Sequence, residues 1–440
     1  MFKKNVFLSH INWQGTLSIK DSEFKESLKI TLLDNIIEET YNLSIEVEST
    51  KFEKSLNIER VSDIIDENIH SIQSFVVNAS SKLSGSINVK NVSIDKADFK
   101  GNFTKDTNMV FDNIRYNSIN FNGNLQKDGS IILKNTKSNE VNLEGNLQKD
   151  ATLLFDVLNT NSLSFQNFVN QGNIQFNSLK PLSDKPKKIT IIDSDLGNTR
   201  FFNAKFNRFK AILIYHANLS QIVSADCKWF AYEQLELKKT DSTEKPFEVQ
   251  REVFRQLKYA MEKQGDRIQS LVFKQYEMQS YRSYLESLVT KPDSDKKNPV
   301  KHIKKILYWL NLKFGNKERI ILTLGSTNDF GQNWVKPIKY LLGFSLFFYC
   351  LIVLSIHTTL VPSCKFEDLK SCFCNLTHDF KLFPQMLNPT LTISKMEGIE
   401  IEKKDISGWT HTFDFIHKIV LSFFIYQIIT AFRKYSGKSD

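Results

Sequence analysis

Read for alternating apolar and polar positions, the middle of the chain repeats one phrase three times. The copies begin at Ala97, Ile119 and Val141, each 22 residues after the last, with the same order of apolar, Asn, Gly, Lys and Asp positions. Ala97, Ile119, Val141 and Leu163 align, as do Phe99, Phe121, Leu143 and Phe165, and again Phe103, Leu125 and Leu147. Later in each copy Met109, Ile131 and Leu153 line up, with Phe111, Leu133 and Phe155 two places on. Apolar positions two apart mark strands with one buried face. A unit of that length, built of short strands and polar turns, has no room for a long helix and matches one coil of a β-solenoid. One coil cannot bury its inward face alone, so the repeat predicts a stack with a continuous core over 96–230. Residues 1–95 carry the same texture at 15–19, 28–33, 43–47 and 86–92, without the clean repeat, and are expected to form earlier coils or an N-terminal cap.

After a Lys- and Pro-rich break at 180–188 the period shortens, and Leu196, Phe201 and Phe206 fall five apart. From Pro246 the period changes to that of helices. Val253, Leu257, Ala260 and Met261 mark one apolar face, and Ile268, Leu271, Val272, Tyr276 and Leu285 mark another. Gly265 suits the end of the first helix and Asp266 the cap of the second, so 246–290 reads as a helical hairpin. In 299–312, Ile303, Ile306, Leu307 and Leu310 form a stripe flanked by Lys301, Lys304 and Lys305. That segment either lies along a membrane surface or packs as an ordinary amphipathic helix.

Residues 340–364 contain no Lys, Arg, Asp or Glu, a stretch long enough to cross a bilayer as a helix. The first membrane span is placed at 338–363 and a second at 413–432, where Asp414, His417 and Lys418 stand near its start. The two spans enclose a loop, 364–412, and leave a tail, 433–440.

Charge orients these spans. Eight Lys or Arg fall in 296–319, within a basic juxtamembrane segment at 296–335, and the second span ends on Arg433 and Lys434. By the positive-inside rule both sides so marked are cytoplasmic, which leaves the loop 364–412 outside. No long apolar core follows Met1-Phe-Lys-Lys, so a signal peptide is not expected. The reading is a multi-pass protein of the inner membrane with both termini in the cytoplasm. The net charge of +9 is explained largely by the juxtamembrane segment, which suits anionic lipid head groups and requires no nucleic acid. Lys301, Lys304, Lys305, Arg433 and Lys434 are the expected inner-leaflet contacts.

Three of the five cysteines, Cys364, Cys372 and Cys374, fall in the outer loop, where a disulfide, free thiols or a metal site helped by His378 remain alternatives. The loop stretch 376–393 reads either as a pore helix and filter, with Asp379, Asn388 and Thr390 as candidate pore-lining residues, or as a small packed outer cap. The TVGYG carbonyl filter is absent from it. No phosphate-cradling Gly-rich loop, HExxH or GxSxG occurs, so neither an enzyme nor a cofactor site is expected. Asp193 and Asp195 share one face of a strand at a solenoid turn, where solvent exposure accounts for them.

With Ala97-Asp-Phe and Ala217-Asn-Leu added to the five-residue spacing, the chain resembles pentapeptide-repeat proteins over 193–222 and more loosely over 86–192. That resemblance implies a right-handed parallel β-helix, square in section, with the central residue of each unit inward. The phrase from Phe254 to Asp266, followed by Phe273-Lys-Gln-Tyr-Glu-Met, looks like the hairpin that joins such repeats to membrane segments in a group of bacterial proteins. That group carries a two-helix, ion-channel-like C-terminal region, to which residues 326–334 and 425–435 are also similar. The expected function is a membrane-anchored cytoplasmic solenoid acting as a protein-interaction or sensing module. The alternative is an oligomeric two-helix channel subunit gated by its solenoid. A protein partner and homo-oligomerisation are the interactions this implies.

Overall fold

The computed structural model describes residues 2–11, 15–32, 43–60, 72–79, 83–183, 187–236, 246–288, 311, 315–360, 380, 382–393 and 408–433. They divide into two compact units, residues 1–281 and 282–440.

The first unit is a parallel β-solenoid of about nine turns. Its strands form two sheets, each of 11 strands, and every pairing is with the strand one coil away. The repeat phrases stack as the spacing predicts. Ala97 pairs with Ile119 and Ile119 with Val141, while Phe99, Phe121 and Leu143 form the next column. All of these side chains are buried in one core that runs from Ile19 to Leu235. Rings stack along it, with Phe155, Phe176 and Phe201 in successive coils at centroid distances of 4.7 and 5.2 Å.

The N-terminal strands belong to the same two sheets. After a first step of 22 from Val6 to Leu28, the coils there are longer: Leu28 pairs with Leu56, and Leu56 with Ile87, steps of 28 and 31 residues. In the last coils the five-residue spacing is realised as inward positions, since Leu196, Phe201 and Phe206 are all buried. Isolated bridges Asp195↔Asn218 and Lys205↔Lys228 add short sides between the strands there.

Corners are made by residues that tolerate a left-handed backbone. Asn91, Asn113 and Asn135 take φ of 55°, 54° and 49° at equivalent turns, and Asp128 and Asp150 do the same at another. Asn and Asp are the non-glycine residues least strained there, which is why the repeat keeps them.

The helical hairpin closes the C-terminal end of the stack. Helix α1 (Pro246–Lys263) buries Val253, Phe254, Leu257, Ala260 and Met261. Gly265, with φ of 78°, ends the turn, and Asp266 Oδ1 accepts from Gln269 N at 3.0 Å to start α2 (Arg267–Ser287). The expected face of α2 holds at Leu285, which is buried, and at Tyr276, which packs against the core, and needs correction elsewhere. Ile268 is exposed, and the buried positions within the first unit are Ser270, Phe273, Glu277 and Ser280. Phe273 wins because it meets the rings of Trp229, Phe230 and Phe254, while Lys258 Nζ pairs with buried Glu277 at 2.8 Å.

The second unit holds α3 (Lys317–Gly325), α4 (Val335–Leu360), the short α5 (Leu382–Met386) and α6 (Gly408–Phe432). Among the described residues, α4 and α6 are the two helices long and apolar enough to cross a membrane. Only 28% and 22% of their apolar stretches are buried, whereas the core helix of a soluble protein is mostly covered. The start of α4 is set by Asn333, whose Oδ1 accepts from Val335 N and Lys336 N at 3.0 and 3.1 Å.

Candidate functional site

Two features of this fold could act on something outside it: the outer face of the solenoid and the paired apolar helices. The solenoid face is built by the repeat itself. Because each coil places the same residue over its predecessor, Asn side chains line up and hydrogen-bond along the stack. Asn124, half-buried, donates to exposed Asn102 at 2.7 Å, and exposed Asn146 donates to Asn124 at 2.9 Å. A second column runs from Asn161 to Asn139 and from Asn139 to Asn117. A third runs from Asn142 through Asn120 and ends on the carboxylate of Asp98 at 2.8 Å.

Asp98 is the charged end of that third ladder. Burial alone would raise its carboxyl, but the Asn120 amide, Lys96 at 3.0 Å and Lys100 at 3.5 Å together hold it below the ordinary value of 3.8. A carboxyl lowered on folding stabilises the fold above its unfolded value and loses that contribution as pH falls through its folded value. Asp98→Asn should therefore lower the melting midpoint at pH 7, and the gap to the wild type should close as pH drops below 3.8. Thermal melts of both proteins across pH 3–7 check it. A constant gap would mean that the charge is not what Asp98 contributes.

At the C-terminal end of the stack Gln256 of α1 and Gln264, just past its end, satisfy main-chain groups of the last coil. Gln256 Oε1 accepts from Leu219 N and Gln264 Oε1 from Ser224 N, each at 2.7 Å, and Gln264 Nε2 donates to Ile222 O at 2.9 Å. Both glutamines stand in the phrase that carried the family resemblance; their capping role was not read from it. Asp193 Oδ1 lies 3.2 Å from His216 Nδ1 on the neighbouring coil, and Asp195 Oδ1 takes Gly197 N at 2.9 Å, so the pair serves the corners. The Cys227 thiol is pushed up by burial and donates to Phe201 O at 3.2 Å, which suits a structural cysteine.

The apolar helices α4 and α6 run antiparallel in close register. Trp334 stacks on Phe432 and Tyr340 on Phe424, His417 Nε2 lies 3.1 Å from Ser345 Oγ, and Ser355 Oγ meets Thr410 Oγ1 at 2.7 Å. The turn before α4 is fixed to both. Asp329 and Phe330 take left-handed φ, Lys336 Nζ binds Asp329 Oδ1 at 2.7 Å and Ser326 O at 2.9 Å, and Asn328 Nδ2 reaches Gln427 O at 3.2 Å. On the outer faces Leu342, Phe344, Leu346, Phe347, Phe415, Ile419 and Tyr426 are exposed.

Alongside this pair lies part of the stretch read as pore loop or cap. Leu382, Met386 and Ile393 are buried against Phe348, Tyr349, Ile352 and Val353, with Phe413 and Val420 at the margin. Lys418 Nζ donates to Met386 O at 3.2 Å and Asn388 O at 2.9 Å, and Ile393 N donates to Asp414 Oδ2 at 3.3 Å. The start of the second span is thereby corrected. Helix α6 begins at Gly408 rather than 413, since Trp409-Thr-His-Thr carries no charge to stop it, and His417 and Lys418 stand well inside the helix.

Of the candidate pore-lining residues, Asn388 and Thr390 are exposed and bond to each other. Asn388 Oδ1 accepts from Thr390 N at 3.0 Å and from its hydroxyl at 2.8 Å. Asp379, the cysteines Cys364, Cys372 and Cys374, and Lys301, Lys304, Lys305 and Lys434 lie outside the described residues. Arg433 is exposed just past the end of α6. Among the described residues no cluster of His, Cys, Asp or Glu could hold a metal ion. Comparison with protein-family models, with curated proteins and with solved structures finds no match.

Proposed function

We propose that this chain is a membrane-anchored solenoid that acts as a protein-interaction or sensing module, of the kind suggested by its resemblance to bacterial pentapeptide-repeat membrane proteins. The observation that carries the reading is the joining, in one chain, of a stacked solenoid with two apolar helices whose outer faces the described residues leave exposed. In this reading the solenoid and both termini are cytoplasmic at the inner membrane. The basic segment and Arg433 meet anionic head groups, and the regular Asn columns form the face offered to a protein partner. Its activity is binding rather than catalysis.

A second reading, an oligomeric channel subunit, is favoured by the packing of 382–393 along α4 and α6. Two spans cannot enclose a pore alone, so this reading needs a ring of copies. One preparation tests both. Full-length protein in proteoliposomes should resist extraction by alkaline carbonate, and a chain lacking 335–432 should be released. Release of the full-length protein would refute anchoring. Ion flux that disappears on deleting 376–393 would select the channel, and no flux from retained, folded protein would select the anchored module.

A further inference from the structure

We propose that Lys418 and Asp414 are positioning residues that hold 382–393 as a re-entrant segment within the apolar layer, instead of as a cap above it. The inference rests on the reading of α4 and α6 as membrane spans.

Depth comes first. Helix α6 has 25 residues, and Lys418 is the eleventh. At about 1.5 Å per residue it stands roughly 15 Å along the helix from Gly408, half of an apolar layer about 30 Å thick. The carbonyls of Met386 and Asn388, which its Nζ binds at 3.2 and 2.9 Å, lie within one lysine side chain of that depth. On the other helix the same segment meets Tyr349, whose ring contacts Phe383 at 5.9 Å and which is the fifteenth residue of α4.

Chemistry then explains why such a segment can sit there. A short helix ends with main-chain carbonyls that no further turn satisfies, here at Met386, and Asn388 O just beyond it takes Leu391 N at a long 3.3 Å; at this depth no water completes either. A lysine in the apolar layer is equally costly unless its charge is neutralised and its donors are used. The two needs meet. The ammonium takes the two carbonyls, and Asp414, one turn earlier on the same helix, stands 3.9 Å from Lys418 Nζ while its other oxygen accepts Ile393 N. The apolar anchors Leu382, Met386 and Ile393 complete the seat. An outer cap in water would need none of this, because solvent would satisfy the same groups.

The test is the depth of a spin label at Thr390, in full-length protein with its five cysteines replaced by serine and reconstituted in vesicles, read from the accessibility of the label to aqueous nickel complex and to oxygen. Labels at Trp409 and Ile419 calibrate α6. The expected result is a label at 390 shielded like that at 419. Lys418→Met should raise its nickel accessibility severalfold, towards that at 409, and Lys418→Arg, which keeps the charge and donors, should not. Asp414→Leu, which removes the acceptor of Ile393 N, should act in the same direction as Lys418→Met, so one misfolded variant does not decide. A label at 390 as accessible as 409 beside a shielded 419 would overturn the re-entrant placement. Unchanged shielding in both Lys418→Met and Asp414→Leu would overturn the positioning role. If 419 is as accessible as 409, the spanning reading itself fails and takes the proposal with it.

Discussion

Phe121→Asp removes the cooperative melting of the solenoid or lowers its midpoint by about 10 °C or more, at the roughly 2–4 °C per kcal/mol expected for a unit of this size. Phe121 is buried, stacked 5.7 Å from Phe103, and lies in the column between Phe99 and Leu143. Deleting a buried Phe side chain costs about 3–5 kcal/mol, and an unpaired carboxylate in the space adds several more. That sum is comparable with the whole stability of a typical domain, about 5–15 kcal/mol. A stack is also sensitive in its middle, because each coil is buried only by its neighbours. The control is Asn117→Asp, exposed on the same coil, where the new carboxylate still accepts from Asn139. It should shift stability by about 0.5 kcal/mol at most. Far-UV circular dichroism of the full-length proteins in detergent reads both, and equal melting of the two would mean that the inward column is misassigned.

How far the fold is legible depends on coil length. Between residues 87 and 153 the steps are all 22, so Met109, Ile131 and Leu153 repeat visibly in sequence and meet in space. At the N-terminus the inward residues are equally apolar, yet Leu28, Leu56 and Ile87 are separated by 28 and 31 residues. Insertions at corners cost a stack little and destroy a fixed period, so those coils show as strand texture without a repeat. The face of α2 is legible only in part, at Tyr276 and Leu285, for a related reason. Counting apolar positions selects Ile268, but Phe273 is buried by rings from residues 229 and 230, on the solenoid side of the same unit.

The site divides in the same way. Columns of identical residues are readable because the repeat places them, and the Asn ladders follow from that alone. Lys418 and Asp414 were visible only as charges in an apolar run. Their partners are main-chain groups at 386, 388 and 393, and no side-chain pattern announces a carbonyl. Intramembrane charge is a signal that a partner exists, and the partner's identity has to come from the fold.

Gly123→Ala, the addition of one methyl group, destabilises the solenoid by about 3 kcal/mol or more, at the upper end of what overpacking costs. Gly101, Gly123 and Gly145 pair in register in three successive coils. Strands in a sheet lie about 4.8 Å apart, and the path here brings each glycine's missing side-chain position onto the coil before it. A Cβ at 123 would meet the main-chain oxygen of Gly101, and one at 145 that of Gly123. A flexible side chain could yield to such a contact, but a carbonyl already held in a sheet cannot, so the coils must separate. Separation stretches the neighbouring Asn124 to Asn102 bond, now 2.7 Å, so the damage spreads to the outer ladder. Gly265→Ala separates this clash from backbone strain. Gly265 has φ of 78° with open space around it, so its substitution should cost only about 1 kcal/mol. Denaturant unfolding of both variants in the full-length protein gives the comparison, and a Gly123→Ala cost no larger than that of Gly265→Ala would mean that the coils do not approach as closely at this column as the register requires.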